Sequence, residues 1–489
     1  MAQASTTPQV SSAKPVSEDW LAVIIGLIIV IAGLTGVAGA DPIGWVVTTR
    51  VWTDPAAALA PAAAGYARIG GLTAFVLTWL VLTAVLALGV AALQQDVRRF
   101  AVRFTVLFWI AYASWFVGSY AHLAAVTPAE QAKLGIDWSL RLTNEGGYIV
   151  ALIVGLVIAN AFPRASAWLS DAVRPEWYIK TAIVVLGAFI AVTVADRLSF
   201  ASSILLRGVA AIVEAYLIYW AVVYFVARKW FRFPREWAVP LASGISICGV
   251  AAAISTGSAI RARPAIPVLV SSLVVVFAVI ELLILPFLAQ HFLADDPLVA
   301  AAWLGLAVKT DGAAVAGGAI TEALINAKAA AGGTNYAAGW IVGTTATIKV
   351  FIDIFIGVWS FILAYIWTNH INVTDKSARA RPREIWERFP KFILGFVATF
   401  VLALALSLTA GPETAAKIKG AVGEANNFRV IFFVLTFFSI GLLSNFRRLW
   451  AEGIGKLAAV YVISLFGFVI WVGLLISWLF FHGVKPPLA

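Results

Sequence analysis

The sequence has little charge and almost no cysteine. Only 12% of the 489 residues are charged, whereas 62% are hydrophobic, and soluble domains carry about 25% charged residues. The single cysteine excludes an internal disulfide and a cysteine-based metal cluster. The four histidines are far apart and lack the spacing of metal ligands. We therefore expect no metal and no cofactor.

The chain also lacks the features of nucleic-acid binders and of enzymes. Its net charge is +10, but the Lys and Arg residues lie in short stretches between apolar runs, without interleaved aromatic residues. No Ser–His or paired-His pattern occurs in the apolar runs. The stretch Gly453–Lys456 lacks the first Gly and the final Ser or Thr of a phosphate-binding loop. We expect neither a nucleic-acid partner nor an enzyme.

Long apolar runs dominate the sequence. Most have about 18–27 residues, enough to cross a hydrocarbon layer of about 30 Å as a helix. The chain is thus predicted to be an all-α polytopic protein of a bacterial inner membrane, with about thirteen transmembrane helices. Their approximate limits are 20–39, 69–93, 104–126, 146–162, 177–195, 203–226, 237–260, 264–290, 297–320, 340–367, 391–410, 428–445 and 456–481.

The first nineteen residues are polar and are predicted to form a disordered cytoplasmic tail. A cleaved signal peptide is disfavoured because the acidic Glu18 and Asp19, not basic residues, precede a long apolar run. Basic loops place the N-terminus in the cytoplasm and the C-terminus outside. Two loops disagree with this assignment: Arg261 and Arg263 fall outside, and the acidic loop 295–296 falls inside.

Two apolar runs contain stretches rich in Gly and Ser that interrupt the helical pattern. Each combines Ser-Ile with a nearby Gly, and five spans separate them. This arrangement predicts inverted five-helix repeats, 146–290 and 297–481, with two crossed discontinuous helices, while 20–126 forms peripheral helices. Small-residue packing between helices is the alternative. The candidate substrate-binding residues are Ser246, Cys248, Gly249 and Ser255 in the first stretch, and Ser439, Gly441, Ser444 and Asn445 in the second.

Four segments resemble the sulfate exporter family of membrane proteins. Ser246-Ile-Cys-Gly249 is the most specific of them; the others are residues 18–26, 179–187 and 441–449. The resemblance implies a fold similar to bile-acid symporters and sodium/proton antiporters, with a panel domain, a core domain and two crossed broken helices. It also implies a homodimer by analogy.

Ionisable residues within the apolar runs are further candidates. A charge at bilayer depth costs at least about 2.5–3.5 kcal/mol, so each needs a partner or a wet cavity. Lys349 and Asp353 share a helix face and could neutralise each other. Lys309 and Asp311 project to opposite sides of a regular helix, which favours an interruption there. The coupling or charge candidates are Glu214, Glu281, Lys309, Asp311, Lys349 and Asp353.

These features favour a secondary transporter of a small anion, such as sulfate, a related sulfur oxyanion or an organosulfonate. Half-helix N-termini at the breaks would bind the anion through free N–H groups. Glu281 is a candidate proton carrier, and sodium is the other candidate coupling ion. The alternative is a sodium/proton antiporter on the same fold, using Asp311, Glu281 or Asp353 as the exchanged carboxylate.

Reporter fusions test the predicted orientation. A fusion at Ser11 should report the cytoplasm and one at Pro487 the opposite compartment, because an odd number of crossings separates them. Cytoplasmic signals at both positions would show that the number of crossings is wrong by one.

Overall fold

The computed structural model describes residues 16–125, 128–140, 146–195, 198–263, 265–367, 371, 390–445 and 455–489. Almost all of these residues are helical. Strands β1 (Val47–Thr49) and β2 (Leu59–Pro61) form a small antiparallel sheet in which Thr48 faces Ala60.

Among the described residues, seven helices pack into one group, the panel. They are α1 (Glu18–Thr35), α2 (Gly70–Ala92), α3 (Val97–Gly118), α4 (Gly146–Ala161), α5 (Pro175–Val194), α14 (Phe392–Thr409) and α15 (Pro412–Leu443). The centre of the panel is the bundle of α1, α4, α5, α14 and α15, with α2 and α3 against it. Short helices cover Ala121–Ala124, Pro128–Leu134 and Pro163–Leu169.

The remaining helices form a second group, the core. Two of its long helices, α6 (198–230) and α16 (455–481), contain π-helical stretches. The other core helices are α7 (Arg235–Ser246), α8 (Gly249–Ala259), α9 (Ala265–Phe292), α10 (Pro297–Ala307), α11 (Asp311–Ala331), α12 (Trp340–Ile354) and α13 (Ile356–Ile366).

Ten helices among the described residues are long and apolar enough to cross a membrane, and α4 with the bent segment that follows it makes an eleventh. The prediction of a polytopic helical protein is confirmed. The expected count of about thirteen is corrected, because two of the thirteen apolar runs fold back on themselves. We call these two segments the basic-end hairpin (235–263) and the far-end hairpin (297–331).

The basic-end hairpin turns back between α7 and α8. Gly244 on α7 lies so close to α8 that a Cβ there would be 3.5 Å from the Cβ of Ala253. At the open end, the Glu236 carboxylate accepts hydrogen bonds from the Arg263 backbone N–H at 2.8 Å and from its Nε at 3.2 Å. The segment therefore enters and leaves at the same end of the bundle.

The far-end hairpin turns back between α10 and α11 and enters from the opposite end. Before α10, Asp296 binds His482 at 3.1 Å near the C-terminus. Near the end of α11, Lys328 donates to the Gln290 carbonyl at the adjacent end of α9, at 3.0 Å. Both helices lie against α12, where the Thr345 hydroxyl donates to a carbonyl of α10 at 2.9 Å.

The two hairpins remove the disagreement between the loops and the basic-residue rule. The basic end of the bundle is marked by the ion pairs of Arg103 with Asp171 and of Arg174 with Glu18. Because 235–263 folds back, Arg261 and Arg263 come to this end. The acidic loop before α10 moves to the far end. In the described part of the chain, these two loops then agree with the basic-residue rule.

The predicted break near Gly441–Asn445 is wrong. Helix α15 is continuous from Pro412 to Leu443, and Gly441 is the point at which its backbone touches that of α4 at Gly155. Small-residue packing, the alternative, describes this contact. Span nine carries the second break instead, at 308–310 between α10 and α11. The proposed pairing of spans seven and twelve as broken helices therefore fails.

The first helix is part of the panel, although we predicted residues 20–126 to be peripheral. Gly26 of α1 lies against Val184 of α5, where a Cβ would come within 2.6 Å of the valine side chain. At the basic end, Lys180 of α5 binds Asp19 at 2.8 Å. Close backbone approach and an ion pair thus join α1 to the centre of the panel.

Cysteine labelling distinguishes the hairpins from crossing helices. A membrane-impermeant maleimide should label Arg261→Cys in inverted vesicles and Asp295→Cys in intact cells, because both positions are exposed at opposite ends. The parent protein is the control, since its only cysteine is 2% exposed. Labelling with the sides reversed would require two crossing helices in place of the hairpins.

Candidate functional site

The tips of the two hairpins meet inside the core. The backbone N–H of Gly249, the first residue of α8, donates to the carbonyl of Lys309 in the turn between α10 and α11. Gly249 packs directly against Val274 of α9, and a Cβ there would also lie 3.2 Å from that carbonyl. A side chain at this position would therefore separate the tips.

A buried lysine on α12 joins the two tips. The Lys349 Nζ donates to the carbonyl of Ile247 at 2.8 Å and to that of Val308 at 3.5 Å. These carbonyls follow the ends of α7 and α10, where helices carry unpaired acceptors and partial negative charge. The single ammonium thus satisfies the C-terminal ends of both hairpin helices.

A second lysine serves the same helix end. The Lys309 Nζ donates to the carbonyl of Leu306 in the last turn of α10. It also lies 4.6 Å from the ring centroid of Tyr219 on α6, in a cation–π contact. Both lysines are no more than 2% exposed. Their ammonium groups therefore satisfy the backbone carbonyls at these half-helix ends.

Buried carboxyl groups surround the tips. One oxygen of Glu281 on α9 accepts the backbone N–H of Lys309 at 3.3 Å, and the other accepts the hydroxyl of Tyr461 at 3.0 Å. Glu214 lies in a π-helical turn of α6 and is fully buried. Its Oε1 and the hydroxyl of Tyr219 both lie beside Gly473 of α16. Neither Glu214 oxygen has a hydrogen-bond partner among the described residues.

Two further predicted charges lie near these groups. Asp353 is buried one turn beyond Lys349 on α12, on the same helix face as expected. The lysine hydrogen bonds described above go to carbonyls, so Lys349 does more than neutralise a neighbouring carboxylate. Asp311 begins α11, as the predicted interruption requires. Its side chain is outside the described residues.

The N-terminus of α11 faces the panel. The Thr310 hydroxyl caps the helix by accepting the N–H of Ala313 at 3.1 Å. Thr310 also lines a narrow cleft of about 10 Å³ between core and panel. The other lining residues are Ala278 of the core and Pro175, Glu176, Ile179, Thr436 and Ile440 of the panel.

The predicted serines do not all come together. Ser246 ends α7 at the tip, and its buried hydroxyl has no hydrogen-bond partner in the described part of the chain. Cys248 is buried beside it. Ser255 lies farther along α8 and shares a hydrogen bond of 2.8 Å with Ser360 of α13.

The second set of predicted substrate-binding residues lies in the panel. Ser439 is fully buried on α15, near the cleft-lining Thr436, and its hydroxyl also has no partner among the described residues. At the end of α15, Asn445 donates to the Ala159 carbonyl of α4, and Asn160 donates to the Ser444 carbonyl, both at 2.9 Å. Ser444 and Asn445 therefore hold two panel helices together.

Three residues at the site were missed by sequence reasoning. Thr310 could have been found as a capping residue directly before Asp311. Tyr219 and Tyr461 carry no local signal, since only the fold brings them to the lysine and the carboxylate that they contact.

Comparisons with known proteins support the membrane assignment. The family model described as conserved hypothetical protein 698 matches residues 132–473. A UPF0324 membrane protein of Nitrosomonas europaea is 39% identical over 475 residues, covering 96% of this chain and 97% of the relative. Another, from Rhodopirellula baltica, is 32% identical over 307 residues, which is 61% of this chain and 51% of the relative.

A protein of Archaeoglobus fulgidus described as uncharacterized is 46% identical over 165 residues, covering 30% of this chain and 88% of that protein. No solved structure matches the chain. The long family match and the full-length relative show that the chain belongs to the conserved hypothetical protein 698 family, whose relatives include UPF0324 membrane proteins.

Proposed function

We propose that this protein is a secondary transporter of a small anion that works by alternating access. The anion would bind at the N-terminus of α11, where Thr310 faces the cleft between core and panel. The observation that carries the proposal is the meeting of two oppositely entering hairpins whose C-terminal helix ends are already occupied by Lys349 and Lys309. Discontinuous helices inside a bundle are typical of transporter binding sites.

The charge at the hairpin tips favours an anion over sodium. In transporters with broken helices, carbonyls at the half-helix C-termini coordinate sodium, while the N-termini bind anionic groups. Here the Lys349 ammonium stands 2.8 Å from one such carbonyl and 3.5 Å from another, so a fixed charge takes the place of the ion. The partial positive charge at the N-terminus of α11 remains available.

The cleft is narrow in this structure, with about 10 Å³ of space, so core and panel would have to separate before a compact oxyanion enters. The Thr310 hydroxyl would then offer a hydrogen bond, whereas the Thr436 hydroxyl donates to the Phe432 carbonyl of its own helix at 2.7 Å. Glu176 also lines the cleft; Lys180 lies 3.5 Å from that carboxylate and 2.8 Å from Asp19, so its ammonium is shared between the two carboxylates. Sulfate, sulfite and organosulfonates fit this chemistry.

The arrangement also supports coupling to protons. Glu281 binds the far-end hairpin tip directly through the Lys309 N–H, so adding or removing a proton there would alter the contact that holds the tip. A sodium/proton antiporter is the competing function, and this carboxyl group is what supports it. Glu281→Gln should leave anion binding intact but remove its dependence on pH.

The proposed setting is the bacterial inner membrane, with the basic end in the cytoplasm. The positions of Arg174, Arg261 and Arg263 at one end support this orientation. A homodimer rests on family resemblance alone and is proposed on that basis.

Flux measurements in proteoliposomes test the anion proposal. Internal unlabelled sulfate, sulfite or methanesulfonate should accelerate uptake of radioactive sulfate, because exchange needs only one carrier site. Thr310→Val should raise the KM about 10-fold or more, since a lost hydrogen bond to an anion is worth about 1.5–3 kcal/mol. Thr347→Val is the matched control, because that hydroxyl donates to Gly343 within its own helix.

If none of these anions exchanges, and sodium alone dissipates an imposed pH gradient, the antiporter should replace the anion transporter. A Thr310→Val protein with an unchanged KM would place the anion away from the α11 N-terminus.

The Lys349→Ala variant tests whether the ammonium replaces a metal cation. Its loss leaves two buried carbonyls without their charged donor, and we expect a stability loss of about 1.5–3 kcal/mol. Sodium chloride, compared with choline chloride at the same concentration, should partly restore the melting temperature. The parent protein and Lys328→Ala, whose ammonium donates to a carbonyl at the far end, should respond equally to both salts.

A parent protein that sodium stabilises specifically, together with a Lys349→Ala variant that does not respond, would show that sodium binds elsewhere. The competing antiporter would then gain support.

A further inference from the structure

We propose that Arg429 on the panel is a second binding group for the transported anion. It would bind the anion between the N-terminus of α11 and the far end of the bundle. This inference rests on the proposed anion transport and adds a specificity-determining residue to it.

Arg429 lies in the middle of α15. This helix has 32 residues, and Arg429 is seventeen residues from its first residue, or about 26 Å along the axis. The residues of α15 that precede it include several charged and polar ones, and Arg429 lies beside Phe189, close to the far end of α5. It is therefore placed toward the far end of the panel.

Arg429 lies on the same face of α15 as the residues that line the cleft. Arg429, Phe433, Thr436 and Ile440 follow the spacing i, i+4, i+7 and i+11, which is one stripe of a helix. The last two of these residues line the cleft with Thr310. Arg429 is therefore about 10 Å farther along the same stripe, toward the far end.

Its neighbours confirm that this stripe lies at the seam between panel and core. The guanidinium lies 5.3 Å from the ring centroid of Phe189 on α5 and 5.0 Å from that of Phe433. Phe189 in turn touches the core, since a Cβ on Gly339 before α12 would be 3.0 Å from its ring. Arg429 thus sits on an aromatic residue that bridges the two groups.

Within the part of the chain that the structure describes, no carboxylate neutralises the charge of Arg429. The side chain is 9% exposed, and its Nε donates to the Asn426 side chain at 2.5 Å. Among the described residues, no ion pair involves it. Across the seam, the Glu322 carboxylate accepts hydrogen bonds from the backbone N–H groups of Gly339, Ile341 and Val342, at 2.8, 2.9 and 3.0 Å.

This arrangement suits an oxyanion. A guanidinium presents five donors in a planar fork that matches two oxygens of an anion, and its faces stack on aromatic rings without using those donors. Asn426 and the two rings hold the group in place, and among the described residues Asn426 engages only one of its donors. The remaining donors can meet sulfate or a related anion that moves along the seam.

Transport of radioactive sulfate in proteoliposomes tests this role. We expect Arg429→Gln to raise the KM about 10- to 100-fold, the range for a lost charge-assisted hydrogen bond. Arg429→Lys, which keeps the charge but loses the fork, should recover part of the affinity. Arg207→Gln is the matched control, because Arg207 also lies on a membrane helix but donates to the Phe480 carbonyl, and its KM should not change.

An Arg429→Gln protein with the parent KM would overturn the inference and leave the anion transporter intact. A KM equally high in Arg429→Lys and Arg207→Gln would also overturn it, since the effect would then follow from disturbed helices. If the parent protein moves no sulfate, sulfite or methanesulfonate, the proposed function fails and this inference fails with it.

Discussion

The ammonium of Lys349 is the contact on which the centre of this molecule depends. Two helix ends that enter from opposite directions bring partial negative charge to one buried point, and they would repel each other without a cation between them. The Lys349 ammonium is that cation, since its Nζ lies 2.8 Å from one carbonyl oxygen and 3.5 Å from the other. The tips can then approach closely enough for Gly249 to bond to the opposite turn.

The other buried charges follow from this junction. Lys309 lies in the turn itself, so its backbone reaches both Gly249 and Glu281 while its ammonium turns toward α10. Tyrosines from α6 and α16 complete the surroundings. The core is thus organised around the hairpin tips, whereas the panel is organised around direct backbone contact, as where Gly441 meets Gly155.

Sequence patterns predicted the apolar runs, the interruption at Ile247–Gly249 and the one at Lys309–Asp311, because Gly clusters and opposed charges act locally. They could not predict whether an apolar run crosses or turns back. In the basic-end hairpin, two helices of twelve and eleven residues with a turn are together as long as one crossing helix. The sequence signal for a turn was the predicted position of Arg261 and Arg263, which fell on the outside when 237–260 was taken as a crossing helix. Ser-Ile-Gly patterns at Gly249 and Gly441 look alike, and only their tertiary neighbours separate a hairpin tip from a helix crossing.

The shortness of helix α10 constrains how the chain is assembled. This helix has eleven residues and spans about 17 Å, roughly half of a hydrocarbon layer. Every one of its residues is buried by protein, and its turn exposes backbone groups that lipid cannot satisfy. Such a segment has no stable place in the bilayer by itself. The far-end hairpin must therefore wait during biogenesis until α9, α12 and α16, which enclose it, have been inserted.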